Sequence, residues 1–322
     1  MDGKRLSNSV YLCRYLAIIA VAIAHTSFSR NGIDLAIRIT DSFANAGVAV
    51  FFFCSGIYYK KHDFNAVIKK LIMLVIPWGI WGTAVYFISN VSISNYSIQS
   101  YLSWMLGKGT YLWYITVYTV IFIVINISPK FTFKFIPYIL ISITLFSRLL
   151  SAILGIDVVI CYLNPFNWIG FVMLGIIVKK KILVKICGGG HGLKYSVLIS
   201  FFIIIIGLLI DQKLDSKLGY FGYSSFIGQC FWIWILFSVS ILAESKIPLF
   251  IKKIGEESFP IYLIHIVVVG YLCNRFGINI FFNILIAILS VHILYFLLKI
   301  GYIIAMKLGL EKYYCTLTGF RV

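Results

Sequence analysis

The chain has few acidic residues, and no polar stretch in it is long enough to form a soluble domain. Aspartate and glutamate number 11 in 322 residues, and all charged residues together make up 12%. A soluble domain carries about a quarter. A water-soluble globular fold is therefore excluded. Metal-ligand spacing is absent as well: the seven cysteines (13, 54, 161, 187, 230, 273 and 315) are scattered, with no Cys-x-x-Cys and no Cys/His pattern. Neither a disulfide framework nor a zinc centre is expected, and no metal site is assigned. The glycine-rich "GGGHG" at 188–192 lacks the lysine and Ser/Thr of a phosphate loop and reads as a flexible turn. The net charge of +17 does not point to nucleic acid, because the lysines cluster between apolar segments. A cleaved leader is also set aside. Lys4 and Arg5 precede an apolar run and Ala22-Ile23-Ala24 mimics a cleavage site, but Arg14 interrupts the run.

What remains is apolar sequence in abundance: 61% of residues are hydrophobic and the mean hydropathy is +0.97. Apolar segments near the ~20 residues that span a bilayer recur along the chain. The spacing predicts an all-α, polytopic transmembrane helical bundle of about ten spans, near 11–28, 43–59, 71–88, 111–128, 135–154, 160–178, 195–210, 225–242, 259–275 and 279–303. A short interfacial helix is expected at 98–106. With the N-terminus cytoplasmic, 19 lysines and arginines fall on the inner side, six on the outer side and three within spans. That bias predicts both termini in the cytoplasm, with the chain in a cell membrane. Residues 1–322 read as one integral membrane domain in contact with membrane lipids. Trp78, Trp81, Trp104, Tyr111 and Trp113 are expected in interfacial belts.

Ionisable residues at bilayer depth are costly and mark places for chemistry. Arg14 and His25 in "CRYLAIIAVAIAHTSF" are 11 residues apart, which puts them on one helical face, ~16 Å apart along the axis. An arginine at the inner mouth suits a phosphate-bearing ligand. A histidine further along suits proton transfer near neutral pH. Snorkelling of Arg14 to headgroups is the alternative. Ser258, Tyr262 and His265 share a face of the ninth span, where Ser258 also suits the helix start. Ser55-Gly56 breaks an aromatic run where backbones can approach closely. Arg148 is read as pairing with a carboxylate such as Asp157 or with carbonyls, or as orienting a glycan. His292 is expected to be structural, His62 to be solvated, and Asp34 and Asp41 are candidates to orient His25.

These stretches resemble the acyltransferase-3 family of multi-pass membrane acyltransferases. Arg14…His25 matches the first-span spacing, Gly47, Val48, Phe51, Phe52, Ser55 and Gly56 match the second-span pattern, and Ser258, Tyr262 and His265 match the penultimate span. "YLWYITVYTVIF", from Tyr111, is similar to the family's Leu-Trp-aromatic segment and brings in Trp113. In "KKLIMLVIP", Met73 stands where a second arginine often falls, so Lys69 and Lys70 are expected to share the grip on the donor with Arg14. The resemblance implies transfer of an acyl group, most often acetyl, from acetyl-CoA or another acyl-CoA to a hydroxyl of a glycan or lipid-linked sugar. This is acyltransferase chemistry of a non-amino-acyl kind, with no permanently bound cofactor. It implies His25, His265 and Tyr262 at the reacting end, Arg14, Lys69 and Lys70 on the donor, and Ser258, Arg148 and Trp113 toward substrate. Acceptor surfaces would lie in 29–42, 89–110 and 211–224. The alternative is a transporter or flippase of a lipid-linked glycan. Broken helices and inverted repeats would favour it, and neither is clear in the sequence.

Overall fold

The computed structural model describes residues 3–26, 34–89, 97–179, 190–214, 220–276 and 279–321. Eight of its helices are long and apolar enough to cross a membrane: α1 (Gly3–Ala24), α2 (Leu35–Tyr58), α3 (Phe64–Ser89), α6 (Ile136–Ile153), α9 (Gly190–Lys213), α10 (Ser225–Ala243), α12 (Ser258–Phe276) and α13 (Ile280–Lys307). Two shorter apolar stretches occupy the places of the remaining expected spans. They are α5 (Trp113–Ile127), and α7 (Val158–Leu163) followed by α8 (Ile169–Ile177). The short helices α4 (Ile98–Met105), α11 (Leu249–Glu256) and α14 (Glu311–Thr318) complete the set. No strand occurs among the described residues, and the polytopic helical bundle read from the sequence is what forms. The interfacial helix expected at 98–106 is α4. Cys187, the first two residues of "GGGHG" and parts of the three candidate acceptor loops lie outside the described residues. Gly190 to Gly192 belong to the first turn of α9 rather than to a turn between helices.

Local chemistry sets many of the ends. Asp34 accepts from Ala36 N (2.8 Å) to start α2, Ser97 accepts from Ser100 N (3.0 Å) to start α4, and Asn279 accepts from Phe282 N (3.1 Å) to start α13. The sixth apolar stretch is broken at Pro165, in a 3₁₀ turn between α7 and α8. The carbonyls freed by the break find side-chain donors: Asn167 Nδ2 donates to Cys161 O (2.8 Å) and Trp168 Nε1 to Tyr162 O (3.0 Å). Ser147 Oγ then donates to Asn167 Oδ1 (2.6 Å), tying the break to α6. Polar residues inside an apolar span thus serve backbone that has left the helix.

α1 is the hub. It packs against α2, α10, α11, α12 and α13. α2 in turn crosses α8 with backbone against backbone. A Cβ on Gly56 would lie 2.0 Å from Val172 O, and one on Gly175 2.1 Å from Phe53 O. The small residue that interrupts the aromatic run therefore permits a backbone-to-backbone crossing in the bundle's core. Gly56→Ala is expected to lower the thermal midpoint of the purified protein by several degrees, at an overpacking cost of ~1–3 kcal/mol. Gly79→Ala, where a Cβ would meet nothing within 4 Å, is expected to leave the midpoint unchanged or slightly raised. Thermal unfolding in detergent compares the two.

Candidate active site

α12 and α11 carry the site's first fixed point. α11 lies so close to α1 that a Cβ on Gly255 would sit 1.8 Å from Tyr11 O. This contact brings the α11–α12 junction under Arg14. Arg14 Nε donates to Ser258 Oγ (3.1 Å) and Nη2 to Glu256 O (3.2 Å). Its side chain turns into the protein instead of snorkelling to headgroups. A cavity of ≈ 330 Å³ opens beside it. Arg14, Ser258 and Tyr262 line one side, Tyr114 and Tyr118 of α5 another, and Lys70, His62 and Arg321 its charged end.

The second fixed point lies further along α12. Tyr262 O–H donates to Tyr111 O, and Tyr111 O–H donates to Leu263 O (2.7 Å). This reciprocal clasp joins the start of α5 to α12, and Tyr262 also lines the cavity. Beyond it His265, fully buried, stands 5.0 Å from His25 between ring centroids and 5.5 Å from Tyr111. His265 Nδ1 approaches Tyr262 O at 2.5 Å. A carbonyl only accepts, so Nδ1 carries a proton and Nε2 is left to hold or release a second one. Nε2 has no hydrogen-bond partner among the described residues.

The structure thus brings Arg14, Ser258, Tyr262 and Lys70 around one cavity, and His25 against His265 next to Tyr262. Several expectations need correction. α1 ends at Ala24, so His25 sits in the turn after the helix, with its N–H donating to Ala22 O (3.1 Å), rather than on a continuous helical stripe. Tyr262 lines the cavity, but among the described residues neither histidine does. Lys69 is exposed and not among the lining residues, because one residue along a helix turns the side chain by ~100° away from Lys70. His62 is half-buried rather than solvated. Lys70 Nζ lies 2.7 Å from its Nε2, and burial followed by the Lys70 charge holds its imidazole below the usual histidine value. Asp34 is engaged in capping α2, and Asp41 pairs with Asn45 Nδ2 (2.8 Å). His292 bonds to Ile288 O (2.8 Å) and neighbours Tyr15, a packing role as expected.

Arg148 and Trp113 form a separate cluster. Arg148 does not meet Asp157, whose carboxylate caps α7 through Val159 N (2.8 Å). It donates instead to Gln229 Oε1 (2.6 Å) and Tyr220 O (2.7 Å), and its guanidinium lies 4.9 Å from the Trp168 ring and 4.8 Å from Phe221. Trp113 is buried against Trp168 (4.6 Å) and stacked on Tyr162 (4.9 Å), not placed in an interfacial belt.

Reasoning from the sequence missed Tyr111 as the partner of Tyr262, and it missed Arg321 and Glu257. Glu257 follows α11 and is 1% exposed. Its Oε2 accepts from Arg321 N (2.8 Å). Burial pushes its carboxyl up to about 8, against a smaller lowering by the Arg321 N–H, while Glu256 raises it and the Arg321 and Arg14 charges lower it. The folded state therefore binds this proton more tightly than the unfolded chain does. The stabilisation is complete below an unfolded value of 4.5 and is lost as pH rises through about 8. The thermal midpoint is expected to fall from about pH 6 to about pH 9, and Glu257→Gln is expected to flatten that fall, as measured by thermal unfolding across pH.

A family profile described as "Acyltransferase domain" matches residues 8–304, which takes in α1 through most of α13 and with them Arg14, His25, Ser258, Tyr262 and His265. No curated protein and no solved structure gives a significant match. A bundle of apolar helices with this profile over nearly its whole length is a membrane acyltransferase, and the chain belongs to the acyltransferase-3 family.

Proposed function

We propose that the protein transfers an acyl group, acetyl in the simplest case, from a cytoplasmic acyl-CoA to a hydroxyl of a glycan or lipid-linked sugar on the other side of the membrane. One observation carries this reading. A single cavity runs from the Arg14 guanidinium to Tyr262, and His265 and His25 stand directly behind it. The charged end, with Arg14 and Lys70, suits the donor's phosphates. The aromatic walls, Tyr114 and Tyr118, suit the thin pantetheine arm. At ≈ 330 Å³ the cavity falls at the lower end of small-molecule sites, ~300–1,000 Å³.

Opening of the Tyr262–Tyr111 clasp would carry the thioester to His25. There His25 acts as general base: it takes the acceptor's hydroxyl proton as the oxygen attacks the thioester carbon. The C–S bond breaks, and the proton passes to the leaving CoA thiolate. His265 stands against the His25 imidazole, and its Nδ1–H is fixed by Tyr262 O. It is placed to orient that ring and to share its proton. An acyl-His25 intermediate is the variant route, in which His25 attacks the thioester first. The orientation, with both termini cytoplasmic, rests on the lysine and arginine bias. Family membership favours this reading over glycan transport; the break between α7 and α8, the kind of feature that would favour transport, has its freed carbonyls met by Asn167 and Trp168.

His25→Ala is expected to lower acyl transfer by at least ~100-fold with the protein still folded, measured as label moved from acetyl-CoA into a glycan or lipid fraction of membranes. Normal turnover in the variant would contradict the role. Arg14→Ala is expected to raise the KM for acyl-CoA ~10-fold with a smaller change in kcat. A fall in kcat with donor affinity intact would place Arg14 elsewhere in the reaction.

A further inference from the structure

The C-terminal segment after α14 is fastened at nearly every residue. Trp81 Nε1 donates to Thr318 O (3.3 Å), and Gly319 caps the helix in the left-handed region at φ 79°. Phe320 is 4% exposed among Tyr295, Tyr302 and Tyr314. The Arg321 N–H is held by the buried Glu257 carboxyl. A buried carboxyl given to one backbone N–H is a costly fixture, and what it fixes is the next group outward: the Arg321 side chain, exposed and lining the charged end of the cavity. Lys70 and His62 line the same end, and Arg14 sits deeper. Of the two carboxylates here, Glu256 is paired with Lys253 (3.2 Å) and Glu257 lies beneath the segment. The rim therefore presents three nitrogen donors to the ligand from α3, the α2–α3 connection and the chain's end.

We infer that the C-terminal segment completes the donor site, and that Arg321, with Lys70 and His62, binds a terminal phosphate: the 3′-phosphate of a CoA-type donor, whose diphosphate then faces Arg14. A dianionic phosphate monoester with three free oxygens fits two cations, Arg321 and Lys70, with the His62 imidazole beside them as a neutral donor. A diphosphate, which must lead into the narrow arm, fits the deeper single guanidinium. The inference rests on the acyl-CoA reading above. Arg321 is a binding residue in this scheme, and it touches no reacting atom.

Calorimetry on the full chain in neutral detergent, with CoA and 3′-dephospho-CoA as probes, tests it. The unaltered protein is expected to bind CoA about tenfold tighter than 3′-dephospho-CoA. Arg321→Ala is expected to lose most of that ratio by weakening CoA alone, and Arg321→Lys to keep part of it. The thermal midpoint should not move, because the side chain is exposed. An unchanged ratio in Arg321→Ala overturns the inference while leaving the donor reading intact. Absence of CoA binding to the unaltered protein overturns the donor reading itself. The same phosphate chemistry is offered by lipid headgroups. If Arg321→Ala lowers retention of phosphatidylglycerol in nanodiscs and leaves CoA binding untouched, the cluster serves a lipid and the inference falls.

Discussion

The architecture depends on one charged side chain held inside an apolar bundle. Arg14 reaches from the hub helix to the first turn of α12, and its hydrogen-bond partners are neutral oxygens, Ser258 Oγ and Glu256 O. Those bonds satisfy donors and set α1 against α12. The setting places His25 beside His265 further along the same pair of helices. They do not cancel the charge, so a positive field remains beside an open cavity. Arg148 offers a contrast. It too has neutral partners, Gln229 Oε1 and Tyr220 O, but aromatic faces close over it and leave no space for a ligand. Two guanidiniums at membrane depth thus serve different ends. One is sealed as a structural post, with ring faces supplying the compensation, and the other is left open to an anion.

Much of the bundle could be read in the sequence because the bilayer constrains it so strongly. Each expected span corresponds to an apolar helix or helix pair, and the lone polar-flanked stretch at 98–106 folds as α4. Part of the candidate site was legible for the same reason: Arg14, His25 and His265 are conspicuous where charge is rare, and the fold sets His25 against His265. What escaped the sequence depends on distance in three dimensions. Tyr111 and Tyr262 are both ordinary aromatics in aromatic-rich segments, and only the fold reveals that each phenol bonds a carbonyl of the other's helix region. Lys69 and Lys70 are indistinguishable as letters, yet ~100° of helical rotation puts one on the cavity and the other outside it. Arg321 counted only as another basic residue near a terminus, because nothing local marks a chain end that folds back onto α3 and α12. The helix end at Ala24 was missed for a similar reason. "AIAHTSF" is apolar enough to continue, and nothing in its letters marks the stop after Ala24.

The broken stretch between α7 and α8 shows how polar residues in an apolar span are to be read. Asn167, Ser147 and the indole N–H of Trp168 replace main-chain donors that the Pro165 turn has removed. They look like candidates for chemistry in the sequence and prove to be repairs to the backbone. His265, by contrast, has a nitrogen with no such duty. A polar group buried at this depth is to be judged by what its atoms still lack after the main chain has been served.

The phenol clasp also bears on electrical insulation. A water-lined passage open at both ends would let protons and small ions run down the membrane potential, whatever traffic it was built for. Here Tyr262 lines the cavity with its phenol held on Tyr111 O, the Tyr111 phenol is held on Leu263 O, and neither His25 nor His265 is among the lining residues. So held, the two phenols stand between this well and the histidines. Any motion that joins the well to the histidines has to be filled by its cargo as it opens, so that the membrane keeps its seal.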